Sequence, residues 1–175
     1  IDKNRIENYF KKYDVIVLAG FQGISIDGFI TSLGRGGSDT TAVAIASAVK
    51  ADRCDIYTDV EGVYSTDPNI VPEAKKISKL AFEEMLEMSS TGAKVLHTRS
   101  VELAMKNNLV LQVLSSITKK SGTLIVDDKK LIEKEIVSGV SYSKNESKVT
   151  ISGIPDKPGI SARIFGILAN KNINV

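Results

Sequence analysis

Leu33-Gly34-Arg35-Gly36-Gly37-Ser38-Asp39-Thr40-Thr41 sets a cation among three glycines and runs into a helix expected over residues 41–49. Glycine lets the backbone turn successive amides to one side, so such a loop can wrap an anion. A helix start adds unpaired N–H groups and the positive end of the dipole, which suits phosphate or carboxylate. Arg35 adds a planar fork that fits a carboxylate with two hydrogen bonds. Asp39 is the odd member, because its charge repels an anion unless it caps the helix, holds a metal or handles a proton. The plainer alternative is a tight turn with Ser38 or Asp39 as N-cap. No Gly-Lys-Ser/Thr follows at the spacing a P-loop needs.

Working outward, 175 residues suffice for one domain, or one and part of another. Hydrophobic content of 42% and charged content of 25% are those of an ordinary globular protein. Net charge is +2 with both signs interspersed, and aromatics are few, so no nucleic-acid surface is expected. Cys54 is the single cysteine, which excludes a disulfide framework and fits a reducing cytoplasm. His97 is the single histidine, which removes histidine-based metal sites and leaves a Ser-His-Asp triad a poor fit. Apolar runs such as residues 15–19 are too short to span a bilayer, and no signal peptide is visible. The start at Ile1, without methionine, fits a piece of something longer.

Residues 4–12 read as an amphipathic helix through Ile6, Tyr9 and Phe10. Residues 15–19, all apolar and ended by Gly20, read as a parallel strand covered on both faces, followed by a ligand-side loop at residues 20–23. An irregular hairpin around Asp27-Gly28 spans residues 24–33. A strand at residues 55–58 opens into a long polar loop, residues 59–68, of the kind that carries function. Phe82, Met85, Leu86 and Met88 mark one helix, and Val95, Leu96, Val101, Leu103, Ala104 and Met105 mark another. Residues 109–114 and 123–126 are strands. Alternating strands and helices predict an α/β domain with a mostly parallel sheet and helices on both faces. The charged residues 128–135 read as a linker between residues 1–127 and 136–175. Beyond it, residues 136–142 and 148–154 read as strands, 155–159 as a turn, and 160–170 as a helix.

Three motifs, Gly34-Arg35-Gly36-Gly37-Ser38-Asp39, Thr58-Asp59-Val60-Glu61-Gly62-Val63-Tyr64 and Gly92-Ala93-Lys94-Val95-Leu96-His97, stand in an order and spacing that closely resemble the aspartate kinases of the amino-acid kinase family. The resemblance continues beyond residue 135 into the opening half of an α+β, ferredoxin-like ACT regulatory domain. It implies transfer of the ATP γ-phosphoryl group to the side-chain carboxylate of L-aspartate, the entry to lysine, threonine and methionine synthesis. By carry-over, Arg35 clamps the substrate carboxylate in a pocket shared by Phe21, Gly36, Gly37 and Ser38. Asp39 takes the role of catalytic or orienting acid. Thr58, Asp59 and Tyr64 hold adenosine, and Lys94 closes on the phosphates. Mg²⁺ accompanies ATP instead of filling a protein cage. Asp156, Gly159, Ile160 and Ala162 would receive lysine or threonine as feedback effector between paired ACT domains of a homo-oligomer.

Two positions depart from the family pattern: Asn69 stands where an arginine commonly reaches the nucleotide, and Thr98 where proline usually follows His97. The family's opening Lys-Phe-Gly-Gly-Thr-Ser type segment is absent, and the ACT order stops midway, so these residues alone are expected to be inactive. Two alternatives remain at this point. One is a kinase of the same family acting on glutamate, acetylglutamate or a nucleotide; the other is a non-catalytic chain that senses amino acids.

Overall fold

Alternating burial along Arg53–Thr58 and Val110–Ser115 builds the centre of the protein: Cys54, Ile56, Leu111 and Val113 turn inward while their neighbours stay at least partly exposed. The computed structural model describes residues 1–93, 95–131, 137–142, 150–155 and 157–173. It divides into two units, Ile1–Ser143 and Lys144–Val175.

In the first unit the order is α1 (Lys3–Phe10), β1 (Gln22–Ile24), β2 (Ile30–Ser32), α2 (Gly37–Ala48), β3 (Arg53–Thr58), β4 (Lys79–Ala81), α3 (Phe82–Ser90), α4 (Thr98–Lys106), β5 (Val110–Ser115) and β6 (Thr123–Val126). The main sheet has the order β3-β5-β6-β4. β3 runs parallel to β5, and β4 to β6, while β5 and β6 are antiparallel, so the sheet is mostly parallel as expected. Cys54 lies opposite Leu111, Ile56 opposite Val113, and Leu111 opposite Ile125, which puts all five on one face. That face packs against Val43 of α2, Met85 of α3, and Val101 and Ala104 of α4. Return of the chain from β5 to β6 requires Gly122, where an added Cβ would lie 1.7 Å from the Val113 carbonyl oxygen.

On the opposite face of β3, Arg53 closes a two-fold hydrogen bond on Asp55 at 2.6 and 3.0 Å, while Ala81 and Val126, which share that face of the sheet, are buried. Residues 15–19, expected as a strand, are not one. Val15 and Val17 are 78% and 92% exposed, because among the described residues no strand pairs with this run. The neighbouring hairpin does form, with Gln22 opposite Ser32 and Ile24 opposite Ile30.

Two interactions order the chain after β3. Thr123, fully buried, accepts a hydrogen bond from the Val63 N–H at 2.8 Å and donates one to the Ile77 carbonyl at 2.5 Å. Tyr64 bridges to Lys76. β4, a strand that the sequence pattern does not predict, follows directly.

Residues 137–142, expected within a strand of a second domain, carry none and lie along the first unit. The Val140 N–H donates to the Ser65 carbonyl, and the Ser138 hydroxyl donates to Glu84. The rest of the expected linker and strands, residues 132–136, 143–149 and 174–175, lies outside the described residues. The second unit contributes α5 (Ile160–Asn170), which matches its expected bounds. Residues 150–155 have no strand, so the described part of this unit does not display the ferredoxin-like order. Among the described residues no helix is long and apolar enough to cross a membrane.

Burial pushes the Cys54 thiol from its ordinary 9.0 to about 11, with Asp55 and then Asp39 adding smaller repulsions. The folded state therefore favours the protonated thiol. Below 9 both states hold the proton and stability does not change; between about 9 and 11 only the unfolded chain releases it, so stability falls as pH rises. Thiol titration with a chromogenic disulfide at pH 8 is expected to label Cys54 rapidly in denaturant and slowly in the native protein. Equal rates would contradict the burial argument.

Candidate functional site

The glycine-rich loop turns on two left-handed residues, Gly34 at φ +73° and Gly36 at φ +71°. Gly36 is the N-cap of α2, and no side chain caps the helix. Neither Ser38 nor Asp39 is the cap, as the plainer alternative supposed; both stand in the first turn, because the helix begins earlier than the apolar pattern indicated. The threonines fix that early start. Thr40 donates its hydroxyl to the Gly36 carbonyl at 2.8 Å, and Thr41 to the Gly37 carbonyl at 2.7 Å. Thr41 Oγ1 also accepts from the Phe21 N–H at 3.1 Å, tying the preceding loop to the helix.

Phe21 holds φ +66°, a conformation costly for an aromatic residue and worth noting at a functional site. Its ring lies 3.0 Å from where a Cβ on Gly37 would stand. The Leu33 N–H donates to the Phe21 carbonyl at 3.0 Å. Phe21, Arg35, Gly36, Gly37, Ser38 and Asp39 are thus gathered in one place. Arg35 is exposed, and its side chain has no hydrogen-bond or ion-pair partner among the described residues. Asp39, half-buried, accepts from the Ser38 hydroxyl at 3.4 Å.

Two further side chains reach this loop that the sequence reading did not assign to it. The His97 ring occupies the space beside Gly36, where an added Cβ would come within 2.2 Å of it. His97 is the N-cap of α4, with Nδ1 accepting from the Arg99 N–H at 3.4 Å. Arg99 donates from one terminal nitrogen to the Leu33 and Arg35 carbonyls, at 3.1 and 2.6 Å. A basic residue in the first turn of a helix was the one available signal for it.

The other expected group follows β3. The Thr58 hydroxyl donates to Asp59 at 3.0 Å, and Asp59 is exposed. The Thr58 carbonyl accepts from the Ser116 N–H and hydroxyl at 2.8 and 3.0 Å, so the ends of β3 and β5 are stitched together. Tyr64 is half-buried. In the same loop Glu61 pairs with Lys120 at 2.9 Å, which holds the Glu61 carboxyl below its ordinary value. Asn69 folds back on Asp67. No hydrogen bond joins this group to the glycine-rich loop among the described residues; α2, which packs on β3, is the link. Lys94 and Asp156 lie outside the described residues. Gly159 is the left-handed N-cap of α5 at φ +88°, followed by Ile160 and the exposed Ala162.

A mostly parallel sheet with a glycine-rich loop opening α2 defines an α/β protein. Residues 1–115 match the amino acid kinase family, and the chain belongs to that family. Over its whole length it is 52% identical to an aspartate kinase of Pseudomonas putida (strain KT2440), and it covers 43% of that protein. It is 51% identical to an aspartokinase of Helicobacter pylori, covering 44% of it. The chain therefore spans less than half the length of these curated relatives. Among solved structures, the aspartate kinase of Clostridium acetobutylicum superposes with a TM-score of 0.71 at 32% identity, covering 79% of this chain and 33% of that one. E. coli aspartokinase III in complex with aspartate and ADP gives 0.62 at 35% identity, over 89% of this chain and 35% of that one. The same E. coli enzyme has also been solved in complex with lysine and aspartate.

Gly36→Ala is expected to fail for two reasons at once. A left-handed non-glycine residue costs roughly 1–2 kcal/mol, and the new methyl would displace the His97 ring. Chemical denaturation should register a loss larger than the backbone cost alone. Combining it with His97→Ala should recover part of that loss. A double variant no more stable than Gly36→Ala would show that the contact is unimportant.

Proposed function

We propose that the chain is part of an aspartate kinase, which passes the γ-phosphoryl group of ATP to the side-chain carboxylate of L-aspartate and yields 4-phospho-L-aspartate. This is the first step toward lysine, threonine and methionine. The observation that carries the reading is the Arg35 guanidinium, unpartnered among the described residues, on a loop where the N–H groups of Gly36, Ser38 and Asp39 are also without a partner among the described residues. The identity to aspartate kinases, near one-half along the entire chain, supports it.

In this reading Arg35 clamps a carboxylate of aspartate, while Phe21, Gly36, Gly37 and Ser38 shape the pocket around it. Phosphoryl transfer asks chiefly for positioning and for neutralisation of charge, which amides and guanidinium supply. The nucleophile is itself a carboxylate, ionised at neutral pH, so Asp39 is not needed as a base. Asp39 orients donors at the transferring group. Thr58, Asp59 and Tyr64 receive adenosine on the loop that Thr123 pins, and Lys94 meets the phosphates. Among the described residues no three carboxylate, histidine or cysteine groups converge. That donor set suits Mg²⁺ as a companion of the nucleotide phosphates with Asp39 nearby, where the ion would offset negative charge.

The same proposal extends to regulation: residues 136–175 begin an ACT domain through which subunits pair. There Asp156, Gly159, Ile160 and Ala162 hold the carboxylate of lysine or threonine at the start of α5. The E. coli relative solved with lysine supports an amino-acid effector.

In the full-length protein, Arg35→Ala should raise the aspartate KM roughly a hundred-fold, the scale of losing about 3 kcal/mol of charge-assisted hydrogen bonding. The ATP KM should move less than about two-fold. Asp39→Asn should lower kcat by at least about ten-fold with the aspartate KM little changed. Near-normal turnover by Asp39→Asn would remove its role, and an unchanged aspartate KM in Arg35→Ala would remove the clamp. Calorimetry tests the effector site separately. Lysine or threonine should give saturable heat that Ala162→Glu abolishes, since a carboxylate in that first turn repels the ligand's own. Heat indifferent to that substitution would place the effector elsewhere.

A further inference from the structure

We infer that Arg99, the second residue of α4, is a positioning residue for the carboxylate-binding loop; this rests on the reading of that loop as the aspartate site. One nitrogen of its guanidinium holds the carbonyls of Leu33 and Arg35 together, at 3.1 and 2.6 Å. These two peptide units enclose Gly34 and Arg35 and lead into the second left-handed turn at Gly36. All peptide bonds of the described chain are trans, so each carbonyl held by Arg99 sends its partner N–H to the opposite side. The N–H of Gly34 goes to Ser32 Oγ at 3.0 Å and closes the turn from below. The N–H of Gly36, next to the helix start, has no partner among the described residues and faces away from Arg99. Arg99 thereby decides which side of the loop presents donors.

The left-handed glycines make such a clamp necessary. Gly34 has open space where a Cβ would be, so no packing holds it, and glycine loses more conformational freedom on ordering than any other residue. Gly36 is held by the His97 ring on one side only. Two charge-assisted hydrogen bonds from a residue anchored in α4 supply the missing restraint. Arg99 itself is anchored: α4 buries Val101 and Ala104 in the core, and the His97 Nδ1 accepts from the Arg99 N–H. Arg99 does not touch the substrate in this account. It orders the segment that presents Arg35 and the Gly36 amide.

The test uses full-length Arg99→Gln and Arg99→Lys with steady-state kinetics and amide hydrogen exchange. Arg99→Gln should raise the aspartate KM roughly ten-fold, equivalent to about 1.4 kcal/mol, with the ATP KM within about two-fold of wild type. Exchange at residues 34–37 should quicken in the same variant while the amides of β5 stay protected. Arg99→Lys keeps a donor able to reach one carbonyl and should recover part of both effects. A loss of thermal stability with unchanged aspartate KM would mean a merely structural residue and would overturn the inference. So would unchanged exchange at residues 34–37, whatever the kinetics. Wild-type protein that phosphorylates no aspartate would instead sink the functional reading, and with it the purpose assigned to Arg99.

Discussion

The left-handed turn at Gly36 is the constraint on which the rest of this structure hangs. It ends the loop, caps α2 without a side chain, and leaves the space that the His97 ring fills. A cap residue with its own side chain would contribute about 1 kcal/mol to the helix, but here it would stand inside that ring. The helix start is held instead by Thr40 and Thr41, whose hydroxyls bond back to the carbonyls of Gly36 and Gly37. A side-chain cap is thus absent where α4 approaches; the Gly37 N–H turns back to the Gly34 carbonyl at 3.0 Å, while the N–H groups of Ser38 and Asp39 have no partner among the described residues. For a helix start meant to receive a carboxylate, that is the useful outcome.

Much of this was legible in the sequence because its signals are local. Three glycines around Arg35 gave the loop, the apolar periodicity of residues 160–170 gave α5 to its ends, and residues 123–126 gave β6. What failed was tertiary. An apolar run like residues 15–19 predicts a strand only if neighbours pair with it, and Val17 is instead 92% exposed. His97 stood out in the sequence only as the single histidine; its backbone conformation makes it a cap, and its ring a support for Gly36. Arg99 carried no sequence signal of its target, since Leu33 and Arg35 lie more than sixty positions away.

The two halves of the candidate site are stabilised in different ways. The stretch after β3 is fixed by buried groups: Thr123 accepts from the Val63 N–H and donates to the Ile77 carbonyl, and Gly62 packs so closely that a Cβ would lie 2.6 Å from the Thr123 hydroxyl. Such bonds are expensive to leave unmade, so Gly62 and Val63 are held firmly within this stretch. The glycine-rich loop is fixed by exposed bonds from Arg99 and by backbone conformations that cost freedom.

That asymmetry matches the ligands proposed for each half. Adenosine is large and largely uncharged, and is best received by a surface already built, because ordering a loop around it would consume binding energy. Aspartate is small and doubly acidic, and most of its binding energy comes from a few directed, charged hydrogen bonds whose strength depends on aim. A loop whose donors are oriented from behind, with its front left unpaired, provides that aim without filling the space the substrate needs. An exposed, unpaired cation at Arg35 then costs little before binding and would gain a planar partner afterwards. In the proposed site the two arginines divide the work: Arg99 holds the loop backbone, and Arg35 would meet the acid.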